Sequence, residues 1–388
     1  MLVERIILKN WRNFKHVDVE VVERIFLVGP NASGKSNFLD VFRFLRDIAK
    51  PGGGLQKAVI DRGGISKIRC LAARKYADIE IEIHMSDDSE TKWQYAIGIK
   101  QESRGYRNAL LVYEKVVKNG ELILNRPDED DNNDELRLTQ TYIEQIIANQ
   151  PFRDIQKFFG AIGYLHLVPQ LVKNPYAFKG QGLDDDPFGL SFLDKVAKTH
   201  ERLRNSKLKK IEAVLRLAIP QLKRLSFQMD DTGFPHLQAL YEHWRPTGAY
   251  QQEDQFSDGT LRIIGLMWVL LEGDSLLLLE EPELSLNAGI VEKLPGLIFR
   301  IISSKKKNRQ IMLSTHSSDL LSDPGIGGEE ILLLSTSRDG TEIRVASSIL
   351  DVKELLSQGF SVGDAVLPRV NPRGLFHLDE LSLFEGEE

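Results

Sequence analysis

Apolar residues along this chain recur with two different periods, and the changes between them divide it into segments. In the first third they alternate. Val17, Val19 and Val21 are separated by Asp18 and Glu20, and Ile79, Ile81 and Ile83 by Glu80 and Glu82. A strand with one wet face reads this way. Residues 2–8 and 17–21 are therefore expected to pair through the aromatic stretch 11–16, and residues 79–83, 93–99 and 109–117 to add antiparallel strands, with a hairpin turn at Asn119-Gly120. Three short runs do not alternate: residues 25–28, 276–279 and 310–314 are almost wholly apolar, as strands covered on both faces are. Helical spacing appears in Phe38, Leu39, Phe42, Leu45 and Ile48, a run stopped by Pro51-Gly52-Gly53-Gly54. It recurs over residues 138–147, 152–159, 188–219 (closed by Pro220) and 261–271. Residues 331–334 and 343–345 predict a last hairpin across Asp339-Gly340. Residues 55–68 fit no single period, 225–229 suit a strand, and 234–244 are indistinct.

This pattern predicts an α/β chain of residues 1–124, rich in β-structure, a mainly helical region over 125–250, a second α/β part over 251–346, and an extension over 347–388. The junction at 125–135 is acidic, but it lacks the glycine and closing glutamate of a calcium loop and is read as a polar loop. No heptad repeat is sustained, so a long coiled-coil arm is not expected.

Composition narrows the class. A hydrophobic share of 42% and a charged share of 27% describe an ordinary globular protein. The single cysteine, Cys70, rules out an intrachain disulfide and fits a reducing compartment. The first residues carry charges within their apolar run and resemble no signal peptide, and the apolar window 263–279 is split by Glu272, Gly273 and Asp274, so a cytoplasmic protein that crosses no membrane is expected. A net charge of −6 argues against bulk attraction to DNA but leaves two basic clusters, Arg202, Arg204, Lys207, Lys209 and Lys210, and Lys305, Lys306, Lys307 and Arg309. Each is either a solvated surface or a contact for nucleic acid or an acidic partner.

The candidate chemistry begins directly after the first apolar run. Residues 29–36 fit Gly-x-x-x-x-Gly-Lys-Ser between a strand and a helix, the context of a phosphate-binding loop. Gly29 and Gly34 permit the tight turns, the backbone of Asn31, Ala32, Ser33 and Asn37 can point N–H groups at phosphate oxygens, Lys35 can reach the β- and γ-phosphates, and the Ser36 hydroxyl can join Mg²⁺. Glu280 and Glu281 stand at the carboxyl end of the run 276–279, where an open α/β sheet places its ligands. One acid can hold Mg²⁺ and the next can orient or deprotonate a water. His316 follows another such run and can sense a γ-phosphate, while Ser257, Asp258 and Gly259 open a helix able to face an anion.

Taken in order, these residues resemble the ATPase heads of the ATP-binding-cassette (ABC) superfamily, and within it the RecF, SMC and overcoming-lysogenization-defect (OLD) branch. Residues 7–20 look like that branch's first hairpin, 29–37 like its phosphate loop, 256–260 like its signature motif, 276–287 like its Walker B and D-loop, and 313–317 like its switch histidine. The resemblance implies a P-loop NTPase with an ABC-type head, an N-terminal antiparallel β subdomain and an inserted, mainly helical region. It implies ATP and Mg²⁺ as ligands, Lys35 and Ser36 on phosphate and magnesium, Glu280 as Walker B acid, Glu281 as catalytic glutamate and His316 as switch. Ser257 and Gly259, with Ser285, Leu286 and Asn287, would act across a nucleotide-dependent homodimer. Glu280 departs from the family's usual aspartate, a carboxylate shifted by about 1.5 Å. Gln170 is the candidate for the Q-loop glutamine, with uncertain spacing.

Three readings stay open. The first is an OLD-like regulatory ATPase acting on a separately encoded effector, a nuclease or toxin of phage defence; the residues after the last hairpin hold no Asp-x-Asp pair for a nuclease of their own. The second is a RecF-like DNA-binding ATPase. The third, a transporter ATPase, is weakened by the N-terminal hairpin and the missing transporter signature. Phe152, Phe158, Phe159, Phe360 and Phe376 are read either as core or as a docking surface for the effector.

Overall fold

The structure, a computed structural model, describes residues 1–73, 77–103, 105–175, 186, 188–242, 248–304 and 309–370. Its strands are β1 (Leu2–Trp11), β2 (Phe14–Glu20), β3 (Arg24–Val28), β4 (Ile79–Ser86), β5 (Lys92–Gln101), β6 (Ala109–Lys118), β7 (Glu121–Arg126), β8 (Gly163–Leu165), β9 (Leu222–Met229), β10 (Pro235–Tyr241), β11 (Ala249–Gln252), β12 (Leu277–Glu280), β13 (Ile311–Thr315), β14 (Ile331–Ser337) and β15 (Gly340–Val345). The apolar runs form the middle of a six-stranded sheet in the order β15-β14-β3-β13-β12-β8. Its pairs are parallel except the edge hairpin of β14 with β15. The runs are continuous because both faces are covered: Ile25, Leu27, Leu278 and Met312 pack into one core, and Phe26, Val28, Leu279 and Leu313 into the other. Strands that alternate instead form a second six-stranded sheet, β2-β1-β4-β5-β6-β7, antiparallel throughout. The helix Lys35–Ala49 lies in the core between the sheets, its Phe38, Phe42 and Leu45 fully buried. Gln310 ties the sheets together, accepting from Val3 N at 2.9 Å and donating to Val3 O at 2.8 Å.

The α/β fold with its antiparallel β part matches expectation, and several local readings are refined. The ambiguous stretch 55–68 contains two short helices, Leu55–Ile60 and Ile65–Ile68. Residues 222–252 hold a three-stranded antiparallel sheet, β11-β10-β9, against the helix Glu201–Ala218; the indistinct part was β10, whose turn is made by Asp230 accepting from Phe234 N at 2.8 Å. The acidic stretch 125–135 is not a loop: Asp128 caps the helix Glu129–Asn133, and buried Arg126 pairs with Asp131 at 2.8 Å and Glu114 at 3.1 Å. Local polarity hid this, because Arg126 is buried only by residues brought in from β6 and from the segment after the helix.

Phe152, Phe158 and Phe159 are buried, with Phe159 5.5 Å from Tyr95 between ring centres, so they belong to the core and offer no docking surface. Phe360 is half exposed, and Phe376 lies outside the described residues. The first basic cluster is partly internal: Lys207 lies on the Trp268 ring at 4.4 Å and Arg204 on Phe227 at 4.1 Å, whereas Arg202, Lys209 and Lys210 are exposed. Arg309 is buried, donating to the carbonyls of Val269, Glu272 and Ser275, and Lys305, Lys306 and Lys307 lie outside the described residues. No helix among the described residues is long and apolar enough to cross a membrane.

Candidate functional site

The carboxyl ends of β3, β12 and β13 lie side by side in the parallel sheet, and the residues that follow these strands converge there. After β3 the chain turns through Gly29–Gly34 into the helix Lys35–Ala49. Gly34 requires the absence of a side chain: its φ is +99°, and an added Cβ would lie 2.1 Å from Asn13 Nδ2. The helix start has no side-chain cap, so its first N–H groups are available to an anion. Lys35 is buried, and its ammonium donates to the carbonyls of Gly29 at 2.8 Å and Pro30 at 3.2 Å. Burial lowers its pKa, opposed by the charges of Glu281, Glu280 and Glu283. A buried cation resting on neutral carbonyls is short of negative charge, which phosphate oxygens would supply. Asn31, Ala32 and Ser36 are exposed along the loop and helix start. Ser33 is buried, with its hydroxyl unpartnered among the described residues.

Ser36 Oγ donates to Glu280 Oε1, and the phenol of Tyr164 in β8 donates to Glu280 Oε2. A hydroxyl and a carboxylate in contact are the oxygen donors a hard divalent cation takes, so these residues fit Mg²⁺. Among the described residues no group of three or more His, Cys, Asp or Glu forms an all-protein metal cage. Burial, and after it the charge of Glu280, raises the Tyr164 pKa, keeping the phenol a donor. Glu281 follows with a φ of +43°, a left-handed conformation that costs a glutamate about 1–3 kcal/mol and clusters at functional positions. Its backbone N–H donates to Ser314 O at 3.1 Å, and its Oε1 lies 3.2 Å from His316 Nδ1 just past β13. Lys35, Ser36, Glu280, Glu281 and His316, separated by up to 281 positions in the chain, thus meet at one sheet edge.

Ser257 caps the helix Asp258–Leu270, accepting from Thr260 N at 3.2 Å. This end is not joined to the phosphate loop by any hydrogen bond or ion pair among the described residues, but it packs on the segment after Glu283 in its own chain: a Cβ on Gly259 would lie 2.8 Å from Ser285 O. Asn287 caps the next helix, Ala288–Val291, accepting from Gly289 N at 3.0 Å. Gln170 and Lys173 reach Asp258 at 3.3 Å and 2.7 Å, which puts the Q-loop candidate beside the signature motif.

Four residues that local pattern did not single out complete the surroundings. Asn13, in the β1–β2 turn, donates to Ser33 O at 2.8 Å and to Thr341 Oγ1 at 2.7 Å, and accepts from Asn37 Nδ2 at 2.8 Å. Thr341 in β15 also donates to Ser33 O at 2.8 Å. Glu283 is buried, taking a 2.5 Å hydrogen bond from Thr315 on one oxygen, while the other has no partner among the described residues. Tyr164 is the fourth. The only sequence signal was for Asn13, whose place in an aromatic turn marked the loop without its target.

A family model described as "AAA domain, putative AbiEii toxin, Type IV TA system" matches residues 24–323. The DNA replication and repair protein RecF of Synechocystis sp. (strain ATCC 27184 / PCC 6803 / Kazusa) is 31% identical over 87 residues, 22% of this chain and 23% of that protein, so the match spans less than a quarter of the relative. Among solved structures, an Smc head bound to the C-winged helix domain of ScpA covers 89% of this chain and 97% of its own at a TM-score of 0.54 and 14% identity. The SMC head domain of Thermotoga maritima covers 89% and 99% at a TM-score of 0.45 and 13% identity. The Smc likeness is one of fold. The family match takes in Lys35, Ser36, Ser257, Gly259, Glu280, Glu281 and His316, and with most of its length so matched the chain, whose fold is shared with Smc heads, belongs to that AAA-domain family.

Proposed function

We propose that this protein binds and slowly hydrolyses ATP, and that ATP closes two copies of it head to head. The observation that carries the reading is the meeting of Lys35, Ser36, Glu280, Glu281 and His316 at the ends of three adjacent parallel strands. Lys35 leaves the carbonyls of Gly29 and Pro30 for the β- and γ-phosphates, and the uncapped N–H groups at the helix start take the remaining oxygens. A cleft of about 600 Å³ next to Asn37, with Arg12, Lys67, Arg69 and Arg338 on its walls, offers room and positive charge for the rest of the nucleotide. Ser36 and Glu280 would hold Mg²⁺, which when bound would supply charge neutralisation at the phosphate oxygens. Glu281 takes the proton of the attacking water, and His316, 3.2 Å away, orients it. Ser257 and Gly259 of the partner subunit close on the triphosphate, with the D-loop 285–287 along the same seam. The head is built from residues 1–124 and 251–346, to which β8 of the insertion 125–250 returns, with 347–388 as an extension.

The dimer cycle regulates a separately encoded effector, a nuclease or toxin, in antiviral defence. The toxin–antitoxin wording of the family supports this, as does the Smc head, whose fold this chain shares and which binds a winged-helix domain of a different protein. The RecF likeness favours a second reading, an ATPase that acts on DNA during repair or chromosome maintenance. The two separate by salt: strong DNA binding that falls steeply with ionic strength, with no co-purifying protein, supports the second.

Isothermal titration of Lys35→Ala tests the core of the proposal. Loss of the charge facing the phosphates raises the ATP dissociation constant by roughly a hundredfold, as expected for a buried charged hydrogen bond. Unchanged ATP affinity overturns the assignment.

A further inference from the structure

Glu280 occupies a position where the resemblance leads one to expect the shorter aspartate, and its carboxylate is divided between two partners. One oxygen meets Ser36 on the phosphate-loop helix, and the other meets the phenol of Tyr164. Tyr164 comes from β8, the edge strand beside β12, in register with Leu278. Leu278 and Glu280 share a sheet face, since side chains alternate along a strand, so the tyrosine leans along its neighbour towards the glutamate. The ring is itself held: the Arg43 guanidinium, from the same helix as Ser36, stacks 4.2 Å from its centroid. The longer glutamate carries an extra torsion, and a metal ligand with an unrestrained torsion is poorly placed.

We propose that Tyr164 is the positioning residue of the metal site, holding Oε2 of Glu280 so that Oε1 stays turned towards Ser36. The phenol makes glutamate workable at this place. An aspartate, drawn back by about 1.5 Å, falls short of it. The inference rests on the ATP–Mg²⁺ reading above, and its test separates the two.

Mn²⁺ is the probe, followed by electron paramagnetic resonance on the full chain carrying Glu281→Gln, which retains ATP. Tyr164→Phe weakens Mn²⁺ binding about tenfold, the loss of one hydrogen bond to a charged acceptor, while ATP affinity in the absence of metal stays that of the parent. In a Glu280→Asp background the same Tyr164→Phe change has no further effect, because the contact is already gone. Mn²⁺ affinity unchanged by Tyr164→Phe, or an equal loss in both backgrounds, overturns the brace. A parent that binds ATP but shows this result leaves the ATP reading standing. A parent that binds no ATP overturns both.

Discussion

Glu283 takes a carboxylate into the interior two residues past Glu281, with Thr315 on one oxygen and no partner among the described residues on the other. Thr315 precedes His316, and Ser285 follows Glu283 by two residues, so this hydrogen bond links the end of β13 to the segment packed on Gly259. Burial raises the Glu283 pKa above its ordinary 4.5, with the Thr315 bond opposing. For an acid raised in the folded state, the stability contribution is complete below the unfolded value and is lost as pH rises through the folded one. Glu283→Gln removes that loss. Thermal melting of parent and variant should coincide below about pH 4.5 and diverge in favour of the variant as pH climbs. A difference constant with pH would mean that another group titrates. Thr315→Val leaves the acid wholly unpartnered and costs about 1–3 kcal/mol.

At the scale of elements, the phosphate loop is shaped by a hairpin turn and an edge strand distant in sequence. Asn13 and Thr341 both donate to Ser33 O, and Asn13 abuts Gly34. Asn13→Ala removes this brace and should weaken ATP binding about tenfold, with the melting temperature little changed, since the backbone pairing of residue 13 with Thr341 N remains. Gly34→Ala is worse, combining a strained φ of +99° with an overlap at 2.1 Å from Asn13. Adding Asn13→Ala to it relieves the overlap alone, so titration calorimetry should show partial recovery of ATP affinity. Full recovery would mean that the backbone conformation does not matter.

For the whole molecule, no hydrogen bond or ion pair among the described residues joins the Ser257 end of the helix Asp258–Leu270 to the phosphate loop, which is the arrangement expected if each completes a site on a second copy. Glu281→Gln keeps the side chain's size but cannot take the proton, so with ATP it should accumulate as a dimer by light scattering. Gly259→Ala in that background pushes a methyl against Ser285 O, 2.8 Å away, and should stay monomeric while still binding ATP. A dimer in the second variant would place the seam elsewhere.

The sequence alone determined the strands and helix that bear the site, because their periods are strong: continuous apolar runs for β3, β12 and β13, alternation for β1, β2 and β4, and helical spacing after Lys35. It also marked Lys35, Ser36, Glu280, Glu281 and His316, since each sits at a strand end or in a motif readable within a few residues. What tertiary structure decided is what lies between segments. Arg126 looks like part of a solvated acidic loop until Glu114 and Asp131 close on it, and Lys207 like a free surface charge until Trp268 lies beneath it. Phe158 and Phe159 could face a partner or a core until the antiparallel sheet covers them. Tyr164 and Thr341 carry no local signal, and Asn13 and Thr315 lie in segments that do not show their targets, because the partners lie 20 to 328 positions away and a hydrogen bond depends on distance in space.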